Sequence, residues 1–305
     1  MKKDILTLLD LNKQDFELLF KRAFELKKRH KEGVADRTLA GKILGLIFDK
    51  PSTRTRISFE AAMIQLGGAP IFINARDTQI ARNEPVRDTA RVLSRYLDGL
   101  VIRTYSQDLL KEYAKFTEIP VINALTDLYH PCQVLSDLMT VIECKGGYAG
   151  LRIAWVGDGN NVCHSWINAA SILCLDLMIA CPEGYSPDAE ILRKARESGN
   201  GRLTVTTDPV EAVKSADVIY TDVWASMGQE SELSKRRRVF DPFQLNEDLL
   251  KKANRKDVVV MHCLPAHRGE EITEAVLEGP HSIVWDQSEN KLHMHKAVLE
   301  VFMTR

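Results

Sequence analysis

Ser52-Thr53-Arg54-Thr55-Arg56 places three hydroxyls and two guanidiniums in five consecutive residues. The segment follows an apolar run over 43–48 and Pro51, and it opens a helical pattern over 56–66. A helix start leaves backbone N–H groups without intrahelical partners and carries the positive end of the helix dipole. Hydroxyl donors, backbone donors and a guanidinium fork then agree in sign. The chemistry they suit is the grip of a phosphate. Helix capping by Ser52 or Thr53 explains one hydroxyl and neither arginine.

Other polar groups also stand just after apolar runs. His130-Pro131-Cys132-Gln133 begins a helical pattern, and a histidine with an amide there can polarise a carbonyl and hold an amino group. A core histidine with proline in a first helical turn is the plainer alternative. Arg103 closes the run over 100–102, as a ligand or as a surface ion pair of little consequence. Gly157-Asp158-Gly159-Asn160-Asn161 has the opening of a dinucleotide fingerprint, but Val162 stands where G-x-G-x-x-G needs its third glycine. Asn161 there suits a small carboxylate instead. Asp222, leading Val223-Trp224-Ala225-Ser226-Met227-Gly228, suits an ammonium group. The run Lys235-Arg236-Arg237-Arg238 reads as a solvated face. In His262-Cys263-Leu264-Pro265-Ala266-His267, a thiol flanked by histidines serves as metal site, nucleophile or pocket wall. Zinc needs further ligands at sensible spacing, and His293 and His295 lie far off in a helical pattern, so no metal is expected.

These segments need strands to carry them. Apolar runs over 43–48, 70–73, 100–102, 120–122, 152–156, 177–180, 203–205, 218–220, 258–261 and 283–284 read as strands. Helical patterns over 56–66, 86–96, 133–143, 161–173 and 189–197 lie between them, and an amphipathic helix is expected over 6–26. Such alternation predicts an α/β fold of two doubly wound parallel-sheet domains facing across a cleft. The glycine-rich stretch Lys145-Gly146-Gly147-Tyr148-Ala149-Gly150 marks the boundary, giving domains over 1–145 and 150–289.

Composition limits the partners. The chain has 305 residues, 45% of them hydrophobic, and a net charge of −1, so it can build a core and has no global field for nucleic acid or an anionic membrane. No apolar stretch reaches the roughly 18 residues of a membrane helix. Six cysteines without a C-x-x-C pair fit a reduced protein of the cytoplasm.

Taken together, Ser52-Thr53-Arg54-Thr55-Arg56, His130-Pro131-Cys132-Gln133, Asp222 with Ser226-Met227-Gly228, and His262-Cys263-Leu264-Pro265 resemble, in order and spacing, the aspartate/ornithine carbamoyltransferase family. The last two resemble its ornithine branch, and the resemblance runs over essentially the whole chain. It implies transfer of the carbamoyl group of carbamoyl phosphate to the δ-amine of L-ornithine, giving L-citrulline and phosphate, as in arginine biosynthesis. It implies no cofactor and no metal. It also implies a C-terminal helix (290–305) packed back on the first domain, and a homotrimer or a multiple of trimers. By motif match, Ser52, Thr53, Arg54 and Thr55 hold the phosphate, and Gln79 reaches carbamoyl phosphate. Arg103 and His130 bind the carbonyl oxygen, Pro131 and Cys132 belong to the same site, and Gln133 takes the carbamoyl amine. Asn161, Asp222, Ser226 and Met227 hold ornithine. Cys263 and Leu264 line the place where its side-chain amine meets the carbonyl carbon, with Asp222 and Cys263 as the groups that orient the amine and help it lose a proton. Lys291 joins the carbamoyl-phosphate set where the family usually has arginine, and it supplies charge without the bidentate fork. Ala81-Arg82-Asn83-Glu84 stands where glycines are commoner. Within the class, the rivals carbamoylate putrescine, N-acetylornithine or aspartate; outside it, the rival is an NAD-binding oxidoreductase domain.

Overall fold

The computed structural model describes residues 4–74, 78, 84–225 and 232–304. The chain divides into two compact units, one of 1–139 with 289–305 and one of 140–288.

Among the described residues, the first unit holds β1 (Ile43–Phe48), β2 (Ala69–Asn74), β3 (Gly99–Arg103) and β4 (Val121–Leu125), in the order β2-β1-β3-β4 and all parallel. Its helices include α1 (Lys13–Lys31), α2 (Thr53–Gln65), α3 (Val86–Tyr96), α4 (Gln107–Phe116) and the start of α5 (Pro131–Lys145). β1 reads Ile-Leu-Gly-Leu-Ile-Phe and buries all but its first residue, as a strand covered on both faces must. The expected helix over 6–26 is broken. Asn12 Oδ1 accepts from the N–H of Asp15 at 3.0 Å, while the Asp15 carboxylate accepts from the N–H of Asn12 at 2.9 Å. This reciprocal cap starts α1 afresh at Lys13 and leaves only a short turn, Leu8–Asp10, before it.

Among the described residues, the second unit holds β5 (Arg152–Val156), β6 (Asp176–Ala180), β7 (Arg202–Thr206), β8 (Val218–Thr221) and β9 (Val259–His262), in the order β7-β6-β5-β8-β9 and again all parallel. The helices of this unit include α6 (Asn161–Leu173), α7 (Ala189–Glu197), α8 (Pro209–Val213), α9 (Leu233–Phe240), α10 (Glu247–Lys252) and α11 (Glu274–Leu277). Ala154, Val156, Ile219, Val260 and Val276 belong to one buried cluster of this unit. Trp155 stacks on Tyr220 at 5.1 Å between ring centres, and Trp166 meets the same ring edge-on at 5.8 Å.

Residues 283–284 do not form the expected strand. Val284 opens the long helix α12 (Val284–Met303), and pairing there stops at a single bridge between Ser282 and Val260. A two-residue apolar run cannot distinguish a strand from a buried helix start. From Glu289 onward α12 belongs to the first unit. Lys27 Nζ donates to Asn290 Oδ1 at 2.8 Å, Ser58 Oγ meets His295 Nδ1 at 2.9 Å, and the His295 ring stacks on Phe59 at 3.6 Å.

Candidate functional site

In each sheet the strand order reverses once, between β1 and β3 in the first and between β5 and β8 in the second. Helices leave opposite faces at such a point and open a crevice beyond the strand ends, where ligands bind in folds of this kind. Among the described residues, Ser52–Thr55, Arg103 and His130–Gln133 stand at or just after such strand ends in the first unit, and Asn161, Asp222 and Cys263 in the second. In the first unit Phe48 is in register with Arg103, and Arg103 with Leu125, so the ends of β1, β3 and β4 lie side by side. The segments that follow β1 and β4 carry Ser52–Thr55 and His130–Gln133.

Ser52 caps α2, its Oγ accepting from the N–H of Thr55 at 3.3 Å, and its own O–H remains a donor. Thr55 is buried, Arg54 half-buried and Thr53 exposed. The two arginines differ in what holds them. Arg56 pairs with Glu60 at 2.9 Å and lies over the Phe72 ring at 3.5 Å, whereas Arg54 enters no ion pair among the described residues. The first turn of α2 has no acidic residue to compete for the dipole.

Arg103 and His130 are buried. Burial, with Lys291, Arg103 and His295 around it, holds the His130 imidazole well below its ordinary range, so it is neutral and presents a single N–H. Cys132 is buried against the carbonyl of Asn123 at 3.4 Å, and burial pushes its thiol up to about 12, which rules out a nucleophilic role. Lys291 is buried too, and its Nζ donates to Gln133 Oε1 at 2.8 Å. Gln133 Nε2 donates to Asp137 at 2.8 Å, which fixes the amide plane with its oxygen toward the lysine. Gln79 lies outside the described residues.

In the second unit, Asn160, one residue before the expected Asn161, is the cap of α6. Its Oδ1 accepts from the N–H groups of Val162 and Cys163, and its Nδ2 donates to Asp222 Oδ2 at 2.7 Å. The Cys263 thiol donates to Asp222 Oδ1 at 3.0 Å. A carboxylate, an amide and a thiol are thus joined at the ends of β5, β8 and β9. The paired glycines of the loop after β5 have local causes. Gly157 has φ of 137°, and a Cβ on Gly159 would stand 2.3 Å from the backbone N of Pro187. A glycine pair set by backbone geometry carries no signal for a dinucleotide.

His262 accepts the N–H of Leu264 on Nδ1 at 2.8 Å, so its proton is on Nε2, which donates to the buried Glu271 at 3.0 Å. This shapes the turn in which Leu264 takes φ of 58° before a cis bond to Pro265. Asp222, His262 and Cys263 bring ligand atoms within 4.8 Å of one another, but both ring nitrogens of His262 are already engaged. His267, Glu270 and Glu271 form a second such group. Ser226 and Met227 lie outside the described residues.

The basic run over 235–238 is not wholly a solvated face. Lys235, Arg237 and Arg238 are exposed, but Arg236 is buried and pairs with Asp158 at 3.0 Å. Asp158, Asn160, Arg236 and Glu271 all escaped the sequence reading. Only the tandem Asn160-Asn161 carried a hint, since either residue can cap a helix.

A helix start carrying three hydroxyls and Arg54 in one parallel α/β unit, and an acid–amide–thiol cluster in another, put charged and polar groups at the strand ends of a two-unit α/β protein. Comparison with known proteins agrees. Residues 3–143 match the carbamoyl-P binding domain, and residues 149–302 the Asp/Orn binding domain, of aspartate/ornithine carbamoyltransferase. The chain is 57% identical over 303 residues to the ornithine carbamoyltransferase of Syntrophus aciditrophicus, covering 99% of this chain and 100% of that protein. The solved ornithine carbamoyltransferase from Pyrococcus furiosus superposes with a TM-score of 0.94 at 51% identity, over 98% of this chain and 96% of that one. The one from Thermus thermophilus gives 0.90 at 40% identity, over 99% of each. The chain belongs to the aspartate/ornithine carbamoyltransferase family.

Proposed function

We propose that the chain transfers the carbamoyl group of carbamoyl phosphate to the δ-amine of L-ornithine, giving L-citrulline and phosphate. The observation that carries this is the full-length likeness to ornithine carbamoyltransferases in a chain whose strand ends carry the Ser52–Thr55 helix start and an acid–amide–thiol cluster. The first unit binds carbamoyl phosphate and the second binds ornithine. Ser52, Thr53, Arg54 and Thr55 hold the phosphate, Arg103 and His130 the carbonyl oxygen, and Gln133 the carbamoyl amine, with Lys291 fixing Gln133. Asn161, Asp222, Ser226 and Met227 receive ornithine, beside Cys263 and Leu264.

The chemistry follows. The δ-nitrogen lone pair bonds to the carbamoyl carbon, the carbon–oxygen bond to phosphate breaks, and the nitrogen gives up a proton. Negative charge grows on the carbonyl oxygen, where losing one placed donor typically costs about 10²–10³ in rate. Phosphate leaves against Arg54 and the start of α2. Asp222, hydrogen-bonded to the Cys263 thiol, orients the amine and helps remove its proton.

A lysine-like amine has a pKa of about 10.4, so its neutral fraction grows about tenfold per pH unit below that. His130, already neutral, adds no titration in this range. The kcat/KM for ornithine should therefore climb steeply between pH 7 and 9; a flat profile contradicts the mechanism.

A homotrimer, or a multiple of one, is part of the same proposal. Ile57 and Ile64 on α2 and Ile71 on the edge strand β2 leave apolar surface exposed, as a subunit contact requires. Mass in solution should be three times that of the chain or a multiple of it, and a monomeric mass contradicts this. Residence in the cytoplasm is supported by six free cysteines. No helix among the described residues is long and apolar enough to cross a membrane.

The direct test is a panel of amines with carbamoyl phosphate. Citrulline from ornithine, in preference to products from N-acetylornithine, putrescine or aspartate, is expected. Preference for another amine overturns the reading.

A further inference from the structure

Arg236 is the one member of its basic run that the fold takes inside. Its Nη1 donates to Asp158 Oδ2 at 3.0 Å and to the carbonyl of Trp224 at 2.7 Å. Its Nε faces Glu232 at 3.3 Å, and its guanidinium lies over the Tyr185 ring at 4.8 Å. The two acceptors on Nη1 sit at telling places. Asp158 is two residues before Asn160, and Trp224 is two residues after Asp222. Asn160 and Asp222 are themselves joined at 2.7 Å. Arg236, Asp158, Asn160, Asp222 and Trp224 thus close a ring in which only short chain segments intervene.

The backbone inside the ring is tied as well. The carbonyl of Asp158 accepts from Trp155 Nε1 at 3.0 Å and from the N–H of Asn160 at 2.8 Å. The N–H of Gly159 donates to the carbonyl of Tyr185 at 2.9 Å. The loop after β5 is therefore tied within itself, and Arg236 adds a second fastening to the chain leaving β8 beside the direct Asn160–Asp222 bond.

We propose that Arg236 is a positioning residue for the amine acceptor: through Asp158 and the Trp224 carbonyl it fixes Asn160 and Asp222 in the geometry that receives the acceptor's ammonium. This rests on the reading of the second unit as the ornithine-binding one. The electrostatics agree with the geometry. Burial, aided by Asp222, pushes Asp158 up to about 6 against the pull of Arg236. The guanidinium opposes that rise, so it favours the charged carboxylate that accepts from it. The Cys163 and Cys181 thiols, which also feel Asp158, are held up by burial and supply no compensating charge.

The test uses the full chain with Arg236→Gln, Arg236→Lys and Asp158→Asn. Ornithine kinetics are measured at saturating carbamoyl phosphate, and carbamoyl-phosphate binding is measured by calorimetry without ornithine. Arg236→Gln should raise the KM for ornithine about tenfold to a hundredfold, the range for losing a charged hydrogen bond. The carbamoyl-phosphate Kd should stay within about twofold, because its site lies in the other unit. Arg236→Lys should restore part of the loss, since one charged donor returns. An ornithine KM within twofold of wild type in Arg236→Gln overturns the proposal. So does an equal rise in the carbamoyl-phosphate Kd, which would mark a general loss of structure. If Arg236→Gln does not fold, Arg236→Lys and Asp158→Asn carry the test, and an unchanged ornithine KM in both overturns it. A wild-type chain that makes no citrulline overturns the functional reading itself; an active one with insensitive variants overturns only the role of Arg236.

Discussion

Replacing Arg54 by alanine is expected to weaken carbamoyl-phosphate binding by about a hundredfold or more while the protein melts as before. Truncating one partner of a desolvated charged hydrogen-bond pair costs about 3 kcal/mol, which is about a hundredfold in Kd. Arg54 is the arginine to expect this of. It stands in the first turn of α2 with no acidic neighbour in that turn, and it enters no ion pair among the described residues. Its removal therefore breaks no ion pair among the described residues. Arg56 is the control: it is committed to Glu60 and to the face of Phe72, so Arg56→Ala should change binding by about tenfold at most and act on packing instead. Calorimetry with carbamoyl phosphate and a thermal melt separate the two. Normal binding by Arg54→Ala means that the anion site lies elsewhere.

Acid should destabilise the protein steeply from just below neutrality. His130, His293 and His295 are all buried, and burial is the first cause that holds each below its ordinary 6.5, His293 at about 3. Folded, they refuse a proton that each takes on unfolding. Depressed groups of this kind contribute stability that is fully present above pH 6.5 and is lost as pH falls below it. Asp158 works the other way, since its raised value of about 6 lets the folded state hold an extra proton below that pH. Three histidines against one aspartate leave about two protons taken up on unfolding between pH 6 and 4, or about 2.7 kcal/mol lost per pH unit. Denaturant midpoints at pH 7.5, 6 and 5 measure the slope. His295→Asn should reduce it by about 1.4 kcal/mol per pH unit, because one of the three is gone. A pH-independent midpoint over this range contradicts the burial of neutral imidazoles.

The parts legible in the sequence are those fixed by local pattern. β1, β5 and α6 carry their signal in consecutive residues: an apolar run closed by turn-forming residues, or a helical period opened by a cap. The Ser52–Thr55 segment is legible for the same reason, since its chemistry is contiguous and its helix start is local. Where the structure departs, the causes are of two kinds, a local cap or short run that the apolar period hides and a partner distant in the chain. Asn12 and Asp15 break an apolar period that otherwise runs on, and Val284 belongs to a helix that two residues cannot reveal. Arg236 looks like its solvated neighbours because nothing in four consecutive basic residues says which one will meet a buried aspartate 78 positions away. The glycines around Asp158 have the look of a nucleotide loop, but a positive φ explains Gly157 and the close passage of Pro187 explains Gly159. Lys291 reads as a substituted ligand, and its partner Gln133 becomes visible only when α12 and α5 are seen side by side.

The most direct measurement is a crystal structure with a bisubstrate mimic in which a phosphonate is joined to ornithine. The phosphonate should rest against Ser52, Thr53, Arg54 and Thr55 at the start of α2, and the ornithine portion should lie against Asp222 and Asn161. A phosphonate bound away from that helix start, or an ornithine portion that leaves Asp222 untouched, contradicts the assignment of the two units.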